Sequence, residues 1–331
     1  MTYRVACMDV WSPAVQRVVR DAAPPELELS FAASYDAADQ MALVRDADFL
    51  LPGFAAVTGQ LLAQAPRVRM IQKWGIGIDS IDLAAVRQRG IALALTTGAN
   101  AGPVAELTIA LILAIYRRIP YVNRVMRQGA WPTPEMRETC FQITGKTVGL
   151  VGFGHIGRMV ARRLAGFEAD IVYHDTQRAD AQTEQRLCAR HMPLAELLAC
   201  SDIVSLHAPL TAQTRHMVNA TSITAMRDGA ILINTARGAL VDESALYDAL
   251  VRGKLRGAGL DAFESEPPGA DNALLSLDQV VVTPHAGGGV FDNVGNVARH
   301  ALGNILRCIR GEPIPAADLV VAPAGSLAKT A

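Results

Sequence analysis

The stretch TVGLVGFGHIGRMVARRL, residues 147–164, decides the fold. Its first five residues are apolar and rich in branched side chains, the pattern of a buried strand. Its end places Met159, Val160 and Leu164 at helical spacing. Between the two stand Gly152, Gly154 and Gly157 in the order G-x-G-x-x-G. The first glycine permits a tight turn, the second lets the backbone approach a pyrophosphate, and the third lets helix and strand pack closely. Unsatisfied N–H groups at the helix start supply an anion site. The loop alone is a weak signal, but the next apolar run, ADIVYH (169–174), ends at Asp175. That is close to the spacing, about 20 residues on, of a carboxylate that binds a ribose. The unit therefore predicts dinucleotide binding rather than a plain strand–helix turn. A carboxylate would repel a 2′-phosphate, so NAD (NADH) is expected over NADP, with Arg178 as the nearby feature that points the other way. His155 fills a variable position of the motif and receives no catalytic role.

Outward from this loop the chain alternates strands and amphipathic segments. Downstream, DIVSLH (202–207), AILINT (230–235), GAGLDA (257–262) and QVVVTP (279–284) continue the strand series, making six strands with TVGLV and ADIVYH. Upstream, YRVACMDV, LELSFAAS, ADFLLPG, VRMIQKWG and IALALT form an earlier series, separated by helical patterns such as SIDLAAVRQRG, which stops at Gly90. Such alternation implies parallel sheets covered on both faces. The expected fold is α/β, with two doubly wound parallel-sheet domains. A long apolar helix (104–119) and a loop, RQGAWPTPEMRETC, open the second series. After PHAGGG the helix NVGNVARHALGNILRCIRG has no strand to pair with there and is expected to return to the first domain. The boundaries read 1–99, 100–287 and 288–331, with crossings at TTGANAGP (96–103) and PHAGGG (284–289). The end VAPAGSLAKTA is expected to be mobile.

Composition narrows the function. In 331 residues, Lys+Arg 31 balance Asp+Glu 32, for a formal net charge of −1. No basic surplus points to nucleic acid or an anionic membrane. The most apolar run, VAELTIALILAIY, is too short to span a bilayer and carries Glu106. No signal-peptide pattern opens the chain. Five cysteines without a close pair suggest reduced thiols in a cytoplasmic protein, and no Cys/His spacing suggests a metal site.

Three polar residues stand at strand ends in the second series: Arg237 after AILINTA, Glu266 in LDAFESEPP and His285 in VVVTPHAGGG. Singly, each is more often a surface or structural residue. Together, on the sheet edge where open α/β folds bind ligands, they fit one chemistry. Hydride transfer at a hydroxyl carbon needs a group that exchanges the hydroxyl proton, and histidine does so near neutral pH. A carboxylate beside it orients the ring and supports its protonated form. An arginine fork matches a substrate carboxylate in two parallel bonds. In the first series, WGIGID (74–79) reads equally as a loop of N–H groups facing a small anion or as a tight turn.

These motifs resemble the D-isomer-specific 2-hydroxyacid dehydrogenases over nearly the whole chain. LVGFGHIGR is similar to that family's dinucleotide fingerprint, SLHAPLTAQT to its loop after the third strand, LINTARGALVDESAL to its arginine motif, GAGLDAFESEPP to its glutamate motif and VVVTPHAGG to its histidine motif. The resemblance implies a Rossmann NAD-binding domain inserted in a flavodoxin-like substrate domain. It implies Arg237, Glu266 and His285 as catalytic residues, with Glu266 matched over Glu264 because it directly precedes the proline. It implies cofactor contacts at Ile156, Asp175, His207, Pro209, Thr235, Asp261 and His285, to which the glycine loop, His155, Ala236 and Gly287 are added as neighbours. It implies substrate contacts at Gly75, Ile76, Gly77, Arg237 and His285, and a homodimer formed through the 104–119 helix. The expected partner is a small 2-hydroxy or 2-keto acid of the phosphoglycerate, hydroxypyruvate or glyoxylate kind. A phosphorylated acid would call for extra basic residues on the first domain, where Lys73 is a candidate. The family often has Thr or Ser shortly after its histidine; HAGGGVFDN has Gly and Val, which leaves the side group open. The alternative is a dinucleotide-sensing, corepressor-like binding protein.

Overall fold

The computed structural model describes residues 2–323, so residues 324–331 of the expected mobile end lie outside the described residues. Thirteen strands occur among the described residues. They are β1 (Tyr3–Cys7), β2 (Leu27–Phe31), β3 (Phe49–Leu51), β4 (Met70–Gln72), β5 (Ala92–Ala94), β6 (Thr147–Val151) and β7 (Asp170–His174), followed by β8 (Ala189–His191), β9 (Ile203–Leu206), β10 (Ala230–Asn234), β11 (Leu255–Leu260), β12 (Val280–Val282) and β13 (Leu319–Val321). The chain divides into two compact units: residues up to Asn100 together with those from Gly289 onward, and Ala101–Gly288.

In the Ala101–Gly288 unit the sheet order is β12-β11-β10-β9-β6-β7-β8, parallel throughout. Counted from β6, this is the 3-2-1-4-5-6 order of a dinucleotide fold with one strand added. The period of two divides each strand's side chains between the two faces. Val148, Leu150, Ile171, Tyr173, Ile203, Ile231 and Ile233 pack under the helices Ala101–Tyr116 and His155–Leu164. Val151, Val172, Val204, Leu206, Leu232 and Leu260 pack with Leu197, Ile223 and Leu246 of the helices on the opposite face. Each such side chain contributes roughly 1.5–3 kcal/mol on burial, which makes the sheet a rigid platform for the loops at its carboxyl edge.

The other unit orders its strands β13-β5-β4-β3-β1-β2. The first five strands of the chain follow the flavodoxin-like order, and β13 joins the edge antiparallel to β5. In the helix Val294–Arg310, Ala298, Ala301, Leu302 and Ile305 pack with Val5, Cys7, Val19 and Phe49 of this unit.

Local structure departs from the sequence reading in four places. β8 and β13 fall outside the expected strands; each is only three residues at a sheet edge, β8 shows no apolar run because it carries the exposed Arg190, and β13 (LVV) is apolar but lies past the last expected helix, in the antiparallel place beside β5. The helix expected at 104–119 runs Ala101–Tyr116, and Arg118 at φ 50 breaks it before a new helix, Ile119–Arg127. Part of the expected loop RQGAWPTPEMRETC is the helix Thr133–Thr139.

Candidate active site

The glycine loop occupies the turn from β6 into the helix His155–Leu164. Gly152 has φ 98, and a Cβ there would lie 2.6 Å from the backbone carbon of His207. A Cβ on Gly157 would lie 2.3 Å from the carbonyl oxygen of Gly152. Both glycines are thus required by the chain's own packing. Gly154 differs: a Cβ there meets nothing within 4 Å, and as N-cap it offers no side chain to the helix. The open space and the uncapped helix start are what a pyrophosphate fills. His155 is exposed and Ile156 half-buried beside it.

Asp175 follows β7. Its carboxylate accepts from Phe153 N at 2.6 Å, which ties it to the glycine loop, and from Gln177 N at 3.0 Å. Burial pushes its pKa up, but the hydrogen bonds from Gln177, Phe153 and Thr176 outweigh that and hold it below the usual range. Arg178 turns to Glu184 through two bonds of 2.9 Å. That bidentate pair engages the cation that the sequence offered to a 2′-phosphate.

His207 ends the strand beside the switch point of the sheet. Its Nε2 lies 2.9 Å from Ser205 Oγ, while Nδ1 is buried with no hydrogen-bond partner among the described residues. Burial pushes its pKa down to about 3, so the ring is neutral. An orphaned polar atom beside the glycine loop is a second feature that a bound group would satisfy. The loop beyond is closed on itself, with Thr214 Oγ1 donating to the carbonyl of the exposed Pro209 at 2.7 Å. Thr235 is buried, with Oγ1 3.0 Å from Thr108 Oγ1, and Ala236 N donates to Asn234 Oδ1 at 3.1 Å.

Arg237, Glu266 and His285 come together at the ends of β10, β11 and β12. His285 Nδ1 lies 2.7 Å from Glu266 Oε2, and Glu266 Oε1 accepts from Phe263 N at 3.0 Å. Burial pushes Glu266 up; the hydrogen bonds from His285 and Phe263 and the charges of His285 and Arg237 outweigh it and lower its pKa. Glu264 is drawn elsewhere, to His216 and to Arg215 at 3.5 Å. His285 sits at φ 50. Its N–H donates to Asp261 O at 2.8 Å. The Asp261 carboxylate, 2% exposed, accepts from Thr283 Oγ1 at 2.6 Å, Ala286 N at 2.8 Å and Gly287 N at 2.9 Å. It therefore clamps the segment on both sides of His285.

Sequence reasoning passed over two residues that shape this cluster. A Cβ on Gly238 would lie 1.8 Å from the backbone carbon of Phe263, so only glycine lets the Arg237 turn sit on the Glu266 loop. Asn234, fully buried at the end of β10, donates through Nδ2 to Arg237 O at 2.8 Å. A polar residue closing a buried strand was the signal available for it.

Gly75, Ile76 and Gly77 belong to the other unit, in the loop after β4. Gly75 has φ 110, donates its N–H to Thr96 Oγ1 at 2.7 Å, and has open space where a Cβ would be. Lys73, expected as a candidate for a substrate phosphate, is 5% exposed and its ammonium donates to Gly53 O.

A strand-edge carboxylate–histidine pair next to an arginine, in one sheet with a dinucleotide loop, defines an oxidoreductase of the nicotinamide class. Residues 109–287 match the model of the "D-isomer specific 2-hydroxyacid dehydrogenase, NAD binding domain". The chain belongs to that family. It is an NAD-dependent oxidoreductase that transfers a hydride between nicotinamide and C2 of a small 2-hydroxy or 2-keto acid. It is 35% identical over 310 residues to a glyoxylate reductase of Korarchaeum cryptofilum, covering 93% of this chain and 88% of that protein. It is 41% identical over 250 residues to a hydroxypyruvate reductase of Thermotoga maritima, covering 75% and 80%. Among solved structures, the TT0316 protein of Thermus thermophilus superposes with a TM-score of 0.83 at 34% identity, covering 96% of this chain and all of that one. These likenesses favour the enzyme over the dinucleotide-sensing alternative. No helix among the described residues is long and apolar enough to cross a membrane.

Proposed function

We propose that the chain reduces a small 2-keto acid to its 2-hydroxy acid, and reverses the reaction, with His285 as the proton-exchanging residue. The His285–Glu266 contact of 2.7 Å carries this reading. Bound NADH supplies the hydride. Gly152, Gly154 and Gly157 with Ile156 hold its pyrophosphate, and Asp175 takes the ribose hydroxyls. His155, His207, Pro209, Thr235, Ala236, Asp261 and Gly287 line the remainder. With Nδ1 on Glu266, Nε2 of His285 gives a proton to the keto oxygen as the hydride reaches C2, and takes it back in oxidation. Arg237 clamps the substrate carboxylate in two parallel bonds; Gly75, Ile76 and Gly77, in the other unit, form a loop whose backbone N–H groups suit a small anion. In this reading Ala101–Gly288 is the cofactor domain and the other unit the substrate domain. The relatives' names place glyoxylate and hydroxypyruvate among the acids to test first.

A cytoplasmic homodimer is the setting that fits best. All five cysteines are free thiols, which suits a reducing compartment, and Ile119–Arg127 buries none of its residues although Ile119 and Met126 are apolar.

The test is the pH profile of both directions in Glu266→Gln. Reduction needs protonated His285 and oxidation needs it neutral. The Gln side chain keeps the shape and removes the charge that favours protonation. The alkaline limb of reduction and the acid limb of oxidation should therefore both move to lower pH. His285→Ala should lose about 10²–10⁴-fold in kcat. Limbs at wild-type pH in the Gln variant would remove Glu266 from the pair.

A further inference from the structure

The amino edge of the Ala101–Gly288 sheet carries a recess of its own. Lys146, which lines it, directly precedes β6, so the length of that strand, about 16 Å for five residues, separates it from the glycine loop. The recess has a volume of about 480 Å³ and is lined by Arg117, Arg137 and Lys146 together with Phe141, Gln142 and Thr144. Among the described residues no carboxylate lines it. A fourth cation, Arg256, lies 3.9 Å over the Phe141 ring, and Lys146 Nζ is 6.0 Å from the centre of the same ring. Nearby acids are engaged elsewhere: Glu135 with Arg118 and, at 3.1 Å, Tyr121, and Asp170 with Arg190 at 2.8 Å. Arg117, Arg137 and Lys146 form no ion pair among the described residues. The backbone beneath them is fixed. Cys140 N donates to Met136 O at 3.1 Å, Phe141 N to Tyr116 O at 2.9 Å, Gly145 N to Glu168 O at 3.1 Å and Lys146 N to Ile143 O at 2.9 Å.

Cations at helix ends often answer the helix dipole, and Arg117 and Arg137 stand at two such ends, those of Ala101–Tyr116 and Thr133–Thr139. Each end offers about half a negative charge, so the two together offset about one of the four positive charges. Lys146, before β6, and Arg256, in β11, stand where no helix ends. The recess is therefore left positive, and like charges gathered without a counterion favour a bound anion. We infer that this recess binds a small multivalent oxyanion of the diphosphate or triphosphate kind, apart from the cofactor and substrate residues. The guanidinium groups of Arg117 and Arg137 match phosphate oxygens in parallel pairs, Lys146 adds a point charge, and Gln142 and Thr144 add uncharged donors. The volume falls within the roughly 300–1,000 Å³ of small-molecule sites and exceeds what one orthophosphate fills, which favours a chain of two or three phosphates. The fixed backbone reduces the ordering that binding has to supply. Arg256 already covers a face of Phe141, so that face holds a cation in place rather than stacking a base.

The experiment is calorimetric titration of inorganic triphosphate into the full chain saturated with NAD and oxalate, which keep the glycine loop and Arg237 occupied. One triphosphate should bind per chain. Its affinity should fall about tenfold in Arg137→Gln and again in Lys146→Gln, the scale of one hydrogen bond to a charged group. Arg87→Gln, which removes an exposed arginine of the other unit, should leave it unchanged. Orthophosphate should bind at least about tenfold more weakly than triphosphate. ATP in place of triphosphate separates the two sources of this chemistry: tighter binding assigns a nucleotide and weaker binding a free polyphosphate, and either supports the site. Arg137→Gln and Lys146→Gln should keep the wild-type kcat/KM on glyoxylate. Absence of triphosphate binding overturns the inference, and so does an equal loss in Arg87→Gln, which would mean diffuse attraction. A change of oligomeric state in Arg137→Gln, read by sedimentation, overturns it too, because the recess would then meet a second copy of the chain. None of these outcomes touches the proposed function, which rests on His285 and Glu266.

Discussion

The two sheets end in edges built on the same device and put to different uses. Each has a buried carboxylate that collects N–H donors from a neighbouring loop: Asp9 pins 53–55 in one unit, and Asp261 pins 283–287 in the other. In the first unit the pinned loop presents Phe54 and its charges are consumed internally. In the second the pinned segment presents His285, paired to Glu266 with Arg237 near enough to lower the Glu266 pKa. A buried charge satisfied by backbone is a structural part, whereas a charge at the rim paired to another titratable group can do chemistry. The difference lies in what each loop offers to solvent, not in how it is held.

The sharpest way to break that contrast is at Arg237. If the fork binds the substrate carboxylate, Arg237→Lys keeps the charge and loses the parallel bonds, at a cost of about 2–5 kcal/mol of transition-state binding. Steady-state kinetics on glyoxylate should show this in kcat/KM, and an unchanged value would remove Arg237 from the site.

Matched substitutions at the two clamps come next. Asp9→Asn and Asp261→Asn each point an amide toward backbone donors, and each should cost about 1–3 kcal/mol of stability in denaturant unfolding. Their kinetics should part: Asp261→Asn should lower kcat by loosening the His285 segment, whereas Asp9→Asn, at a brace whose loop holds no titratable pair, should leave kcat near the wild-type value. Equal kinetic effects from the two would show that the edges are not specialised.

The smallest effect concerns Asp175. Asp175→Ala should narrow the gap between the KM values for NADH and NADPH by removing repulsion from a 2′-phosphate. Its pKa in the folded chain is depressed, so the stability it lends is present above the unfolded value and lost as pH falls through the folded one. Acid titration of Tm should therefore be shallower in the Ala variant. A wild-type preference for NADPH would contradict the assignment.

Much of the fold was legible because its signals are local. TVGLV and AILIN are buried on both faces and read as continuous apolar runs, and the loop 152–157 is set by turn geometry. β8 and β13 were not, because three-residue edge strands gain their pairing from a neighbour rather than from their own pattern. Arg237, Glu266 and His285 were readable one by one as polar residues at strand ends. Glu266 was matched over Glu264 only through the family resemblance, from its place before the proline; the turn of the 263–267 loop turns Glu264 to His216 and sets Glu266 against His285.

By itself the sequence determined the alternation of strands and helices, the dinucleotide loop and the side chains available for chemistry, because these depend on residues a few positions apart. Only the tertiary structure decided that Lys73 faces inward, that Gly238 must be glycine and that Asp261 braces His285. Each of those depends on contact between segments distant in the chain, such as Gly238 against Phe263 and Lys73 against Gly53, and such contacts exist only once each sheet has brought its own loops together at its carboxyl edge.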